Sequence, residues 1–318
     1  MNTRILLLLA ALGLPALEAQ KRTSGFVPVA GGIQLYYEKI GAGPQVILMP
    51  LGFILQPDFE RLAAPSRTLV FYDQRNRGRS GADPKATLAA EVADMEALRA
   101  HLKVERFSTI GYSYLGLMTV LYALEHPGRV DRMIQIGPVP MRFGTEYPAE
   151  HRNQDSLESM VSKQAIDEVL RLRQEGYPEK EPRAYCEKEW MVTRYRLVGD
   201  PAHVAKLGSG NCQYENEWPV RAGKFWAEVR MKEMQNLVVP RDRIASLKQP
   251  VLTIHGTKDR NAPYGSGREW AATLGNARLL TIPGAAHQCW VEAPDLIFGA
   301  IDTFLQGNWP KQAEKVTK

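Results

Sequence analysis

Unbroken apolar runs alternate with amphipathic stretches through the first 138 residues. Phe26 to Val29 and Ile33 to Tyr37 flank Ala30-Gly31-Gly32, which predicts a hairpin. Val46 to Met49, Thr68 to Tyr72, Arg106 to Ile110 and Met133 to Ile136 are the continuous runs expected of strands buried on both faces. Between them, Leu88, Val92, Met95, Leu98 and Leu102 form one apolar stripe at helical spacing, with Thr87 as its N-cap. Strands alternating with helices predict a mostly parallel α/β sheet with right-handed crossovers. Ligands of such sheets bind beyond the C-terminal strand ends.

The alternation stops near Pro138. About a hundred residues follow without a clear buried strand. Ile166, Val169 and Leu170 mark a helix closed by Gly176-Tyr177-Pro178, and Trp190, Tyr195, Trp218, Phe225 and Trp226 make the region aromatic-rich. Sheet logic resumes at Val251 to Ile254 and Arg278 to Ile282, and a last helix runs from about Pro294 to Leu305. The expected organisation is a core of residues 20–138 and 244–308, a mainly helical insertion over 139–243, and a solvated tail at 309–318.

Residues 1–19 change the picture of where the chain resides. Arg4 precedes an apolar run, Ile5 to Leu14, and Ala19 supplies a small residue for cleavage. The run is shorter than the roughly 20 residues of a membrane-spanning helix. It reads as a secretory signal peptide, with an uncleaved anchor as the alternative, and predicts a secreted or periplasmic protein. The chain has three cysteines, Cys186, Cys212 and Cys289. Cys186 and Cys212 fall in one segment, which favours that pair, although spacing alone does not prove it. No Cys/His cluster has zinc-site spacing, so no metal is expected. The net charge of +5 is scattered, with no arginine-rich helix or aromatic-basic interleaving, which argues against nucleic acid as a partner. No membrane contact beyond the export signal is expected.

The chemistry centres on Gly111-Tyr112-Ser113-Tyr114-Leu115-Gly116, between a predicted strand and a predicted helix. A serine on a sharp strand-to-helix turn presents its hydroxyl at a helix N-terminus, where backbone N–H groups can hold an oxyanion. The pattern departs from G-x-S-x-G, because Leu115 replaces the second glycine and Gly116 comes one place late. A side chain at 115 predicts local displacement of the adjoining strand or helix. Two late strand ends carry the partners: Asp259 follows Val251–Ile254, and His287 follows Leu279–Ile282. Ser113, Asp259 and His287 are therefore the candidate triad, with His287 as base and Asp259 orienting it. The candidate oxyanion donors are the Tyr114 N–H and an N–H of the loop after Met49, Gly52 in preference to Phe53. The other histidines, His101, His126, His151, His203 and His255, have weaker claims, and His255 reads as a packing residue.

At these residues the chain resembles the α/β-hydrolase superfamily, closest in pattern to the proline iminopeptidase group. Tyr72-Asp73-Gln74-Arg75 with Gly78-Arg79-Ser80 is similar to that group's DQRGxGRS loop. The elbow, His255-Gly256 with Asp259, and Gly284 with His287 extend the likeness over about residues 25–138 and 245–306. The resemblance implies an α/β-hydrolase fold whose insertion caps the site, with no cofactor. Pro50-Leu51-Gly52-Phe53-Ile54 departs from the group's HGGPG, and its W-x-x-W-E pattern is missing. The expected activity is that of a serine hydrolase on a small ester, amide or N-terminal peptide bond. An iminopeptidase needs cap acids for a free amine, for which Glu215 and Glu217 beside Trp218 are candidates. A carboxylesterase needs only an apolar pocket, which the cap aromatics, Phe53 and Ile54 could form. A ligand-binding protein on an idle hydrolase scaffold is the remaining alternative.

Overall fold

The structure is a computed structural model that describes residues 21–147, 160–208 and 210–317. The segment 1–19, read from sequence as a signal peptide, and His151 lie outside the described residues. Strands β1 (Arg22–Val29) and β2 (Ile33–Gly41) form the expected antiparallel hairpin, with Val29 opposite Ile33. The other strands are β3 (Gln45–Pro50), β4 (Arg67–Tyr72), β5 (Phe107–Tyr112), β6 (Val130–Ile136), β7 (Val251–Gly256) and β8 (Ala277–Ile282). They make one eight-stranded sheet in the order β1-β2-β4-β3-β5-β6-β7-β8. From β3 to β8 all neighbouring pairs are parallel, and β2 joins β4 antiparallel. Every residue of β4, β5 and β7 is buried, as their unbroken apolar runs require.

The order reverses at β3. The chain leaves β3 for β4 on one side and then returns to β5 on the other, so a crevice opens beyond Pro50 and Tyr112. Helices α1 (Gly52–Phe59), α2 (Leu88–His101) and α3 (Tyr114–Glu125) begin at or near these strand ends. Thr87 caps α2 by accepting from the Ala90 N–H at 3.1 Å, and Leu88, Val92, Met95 and Leu98 are buried as a stripe.

Between β6 and β7 the chain is helical: α4 (Lys163–Gln174), α5 (Pro182–Thr193), α6 (Pro219–Phe225) and α7 (Met231–Asn236), joined by short 3-10 turns and one π turn at Trp226–Arg230. In α4 the buried side chain is Leu172, while Leu170 is exposed. Cys186 and Cys212 are disulfide-bonded and Cys289 is a buried free thiol. Helix α8 (Tyr264–Thr273) follows β7, and α9 (Pro294–Leu305) covers the core.

The tail is exposed at most of its described residues beyond Pro310, as expected of a solvated tail, but part of it is tied to the core. Glu314 exchanges both backbone hydrogen bonds with Leu279 at 2.9 Å, Ala313 is buried, and the Arg278 guanidinium lies over the Trp309 ring at 5.0 Å. The physical reason is that β8 is an edge strand whose unpaired backbone groups need a partner, and the tail covers part of that edge. No helix among the described residues is long and apolar enough to cross a membrane.

Candidate active site

Ser113 stands between β5 and α3 at φ 59° and ψ −130°, a backbone conformation that side chains rarely adopt. The turn is held because the Ser113 N–H donates to Ile136 O at 2.9 Å and the Gly116 N–H donates to Ser113 O at 3.0 Å. Gly111 is required by contact: a methyl there would lie 2.4 Å from the Leu115 carbonyl oxygen. The close approach to β6 falls at Gly116, where a methyl would meet Pro138 Cβ at 3.1 Å. Leu115 is buried within the core cluster and does not line the cavity described below. The late glycine thus makes the close approach beyond β6, and Leu115 packs into the core.

The strand ends bring the two distant partners together. His287 Nδ1 lies 2.7 Å from Asp259 Oδ2. A carboxylate only accepts, so Nδ1 carries the proton and Nε2 is the basic nitrogen. The other Asp259 oxygen accepts the N–H groups of Asn261 at 2.8 Å and Ala262 at 2.9 Å. Burial opposes the Asp259 charge, but His287 and His255 outweigh it and hold the carboxyl well below the usual range. His255, read from sequence as a packing residue, has a further part. Its Nε2 faces Asp259 Oδ2 at 3.2 Å and the Ala262 carbonyl at 2.9 Å, so it helps fix the acid.

Glu292 steadies the loop on which His287 sits. Its carboxylate accepts from the Ala286 N–H at 2.7 Å, and from Gly199 and Asp200 N–H groups of the insertion at 2.9–3.0 Å. The Ser113 hydroxyl is not hydrogen-bonded to His287 among the described contacts, but both side chains line one cavity. Such bonds commonly tighten only with substrate bound.

Leu51 adopts φ 65° before α1 and turns the loop after β3 toward the elbow. Its N–H donates to Gln74 Oε1 at 3.0 Å, and the Phe53 N–H donates to Asp73 Oδ1 at 3.0 Å. Phe53 is therefore corrected as an oxyanion donor, because its N–H is already held by a buried carboxylate. Gly52, the first residue of α1, is left as the loop's candidate, alongside the Tyr114 N–H at the start of α3.

The shared cavity has a volume of about 350 Å³. Ser113, Tyr114, His287, Leu51 and Ile54 form its core side. Arg77 enters from the Asp73–Ser80 loop, and Glu189, Trp190, Glu217 and Trp226 come from the insertion. Of the four expected pocket residues, Ile54 and Glu217 line it. Glu215 does not: it is exposed and pairs with Arg221 at 2.7 Å. Trp218 does not either, since its indole N–H donates to the Cys212 carbonyl at 2.7 Å. Glu217 is not free. It accepts from Arg77 Nε and Nη2 and from the Gly78 N–H, each at 2.9 Å. Trp190 and Trp226, two of the cap aromatics, line the cavity as an acyl pocket requires, whereas Arg77 and Glu189 were missed as site residues, although the DQR loop was a visible signal.

The comparisons agree with this architecture. The family model described as alpha/beta hydrolase fold matches residues 43–292. The chain is 26% identical over 293 residues to a protein named probable proline iminopeptidase from Leptolyngbya boryana, covering 83% of this chain and 88% of that one. It is 25% identical over 312 residues to a proline iminopeptidase from Xylella fastidiosa (strain 9a5c), covering 88% and 96%. Among solved structures, an esterase from Exiguobacterium antarcticum superposes with a TM-score of 0.65 at 14% identity, covering 88% of this chain and 98% of that one. That likeness shows the fold alone. With the family model matching well over half its length, the chain belongs to the α/β-hydrolase family of enzymes.

Proposed function

We propose that the protein is a serine hydrolase that cleaves a small ester or amide through Ser113, His287 and Asp259. The observation that carries this reading is the pairing, at one cavity, of a serine on a strained elbow with an imidazole held by a buried carboxylate at 2.7 Å. In this reading Ser113 Oγ attacks the carbonyl carbon and His287 Nε2 takes its proton. The charge that develops on the carbonyl oxygen is met by the Tyr114 and Gly52 N–H groups. As the tetrahedral adduct collapses, His287 passes the proton to the leaving group. Water then enters and its oxygen bonds to the acyl carbon while His287 takes its proton; the bond to Ser113 Oγ breaks as His287 returns that proton to it, releasing the acid. Asp259 keeps the imidazole in the required tautomer and stabilises its charged form. The insertion over 139–243 acts as a cap that narrows access to the cavity.

The test is labelling by a fluorophosphonate probe. The wild type is expected to be labelled, and Ser113→Ala is expected to lose both labelling and turnover. Labelling that persists in Ser113→Ala removes Ser113 from this role.

A second reading, a proline iminopeptidase, is favoured by the relatives of that name and by the two acids, Glu189 and Glu217, on the cavity wall. Turnover of proline-β-naphthylamide against p-nitrophenyl acetate separates it from an esterase. We also read the chain as exported, on the strength of residues 1–19 and of the Cys186–Cys212 disulfide, which suits an oxidising compartment. The N-terminus of protein recovered from the periplasm or medium is expected near Gln20; a retained Met1 would overturn this.

A further inference from the structure

We propose that Arg77 is a specificity-determining residue that closes the site to substrates carrying an ammonium group beside the scissile carbonyl. The inference rests on the serine-hydrolase reading above and names the substrate class that follows from it: acyl groups without a free amine.

A charged amine entering a cavity of about 350 Å³ loses most of its water and must be met there by an acid with lone pairs to spare. Two acids line the wall. Glu217 has neither oxygen free of the core. Oε1 accepts from Arg77 Nε at 2.9 Å and from the Gly78 N–H at 2.9 Å, and Oε2 accepts from Arg77 Nη2 at 2.9 Å and Nε at 3.2 Å. This is a forked, mostly buried pair, the geometry in which an arginine holds a carboxylate most firmly. Glu189, the other acid, receives Arg173 Nη2 at 2.6 Å on one oxygen.

Arg77 is itself held in place. Its guanidinium lies over the Phe53 ring at 5.5 Å, and its charge interacts with the Tyr114 hydroxyl at the start of α3. Burial works against the Arg77 charge, but Glu217 and Tyr114 more than offset it and hold its pKa above the usual value. An ammonium set against the Arg77–Glu217 pair would therefore meet a cancelled acid and a fixed cation. A neutral acyl group would meet Trp190, Trp226 and Ile54 and disturb no charge. The electrostatic obstacle acts against one substrate class and not the other, which is how a site discriminates without gaining contacts.

The experiment uses a matched pair of esters, p-nitrophenyl propionate and alanine p-nitrophenyl ester, which differ by the α-amino group. kcat/KM is measured for each, at a pH that keeps the amine charged, in the purified wild type, Arg77→Gln, Glu217→Gln and the double variant. The wild type is expected to prefer the propionate. Arg77→Gln, which leaves Glu217 uncancelled, should shift the ratio toward the alanine ester by about tenfold or more. The double variant should return the ratio to the wild-type value. Glu217→Gln alone, which leaves the Arg77 charge uncompensated, should move the ratio further toward the propionate, and the wild-type preference is a readout that stands even where Arg77→Gln fails to fold. A wild-type preference for the alanine ester, an unmoved ratio in folded Arg77→Gln, or a shift toward the alanine ester in Glu217→Gln would each overturn the proposal. Failure of the hydrolase reading looks different: neither ester would show turnover that Ser113→Ala removes.

Discussion

At Gly137, at the end of β6, φ is 53° and a methyl would stand 3.0 Å from His287 Nδ1 and 3.1 Å from Asp259 Oδ2. The imidazole–carboxylate bond thus depends on a missing side chain in a third segment. Gly137→Ala is expected to push His287 off Asp259 and lower kcat at least about tenfold, with KM changing less, because the loss falls on the transition state. Steady-state kinetics check this; an unchanged kcat would show that the loop can yield. Asp259→Asn keeps the shape but no longer offers His287 and His255 a full carboxylate. Its kcat is expected to fall about ten-thousand-fold if the triad reading holds. Ser113, Asp259 and His287 were legible because each follows a strongly patterned strand. The helper residues were not. Gly137, His255 and Glu292 act through contacts that no local pattern announces.

The loop from Asp73 to Ser80 shows the same division at the scale of an element. The likeness to a known loop marked it, and the structure explains each conspicuous residue. Asp73, fully buried, accepts from the Phe53 N–H and from Arg79. Gln74 holds Leu51, Arg75 forks onto Asp94 of α2 with two bonds of 2.6 Å, and Ser80 links Asp73 O to the Tyr36 N–H. The loop therefore aims the segment bearing Gly52 at the elbow. Asp73→Ala leaves buried N–H groups and the Arg79 charge without their acceptor. It is expected to destabilise the fold by about 3 kcal/mol and to lower kcat, read by urea unfolding and by turnover of the surviving native protein. Loss of stability with full kcat would separate the loop from the oxyanion site.

Across the whole molecule, core and insertion are joined by buried charges far apart in sequence. Arg230, with no exposed surface, pairs with Glu91 on α2 and with Glu233 on α7, and Glu233 also accepts from the Leu88 N–H at the start of α2. Burial pushes the Glu91 carboxyl up to about 7, with Arg230 pulling against it and Asp94 adding to it. The folded state therefore holds this proton more tightly than the unfolded chain. Stability from this group is full below the ordinary glutamate pKa and is lost as pH rises toward about 7, by at most about 3 kcal/mol. Unfolding free energies from acid to neutral pH should decline in the wild type relative to Glu91→Gln. Parallel curves would mean that Glu91 stays charged throughout. The Cys186–Cys212 bond ties α5 to the segment before α6 across a separation of 26 residues. Cys186→Ser with Cys212→Ser is expected to cost about 3 kcal/mol by the chain-entropy account, measured as a lower Tm under matched conditions.

The sequence by itself determined the alternation of strands and helices, the hairpin, the elbow, the order of Ser113, Asp259 and His287, and the helical character of the insertion. These depend on periodicity and turn chemistry, which act over a few residues and leave a local trace. Tertiary structure alone decided which pocket residues face the cavity. It turned Glu215 and Trp218 away, cancelled Glu217 with Arg77 at a separation of 140 residues, took the Phe53 N–H for Asp73, and laid the tail on β8. A carboxylate looks the same in sequence whether it will meet an amine, an arginine or water. Its partner is chosen by where the folded chain places the opposing charge, and at Glu217 that charge comes from the core.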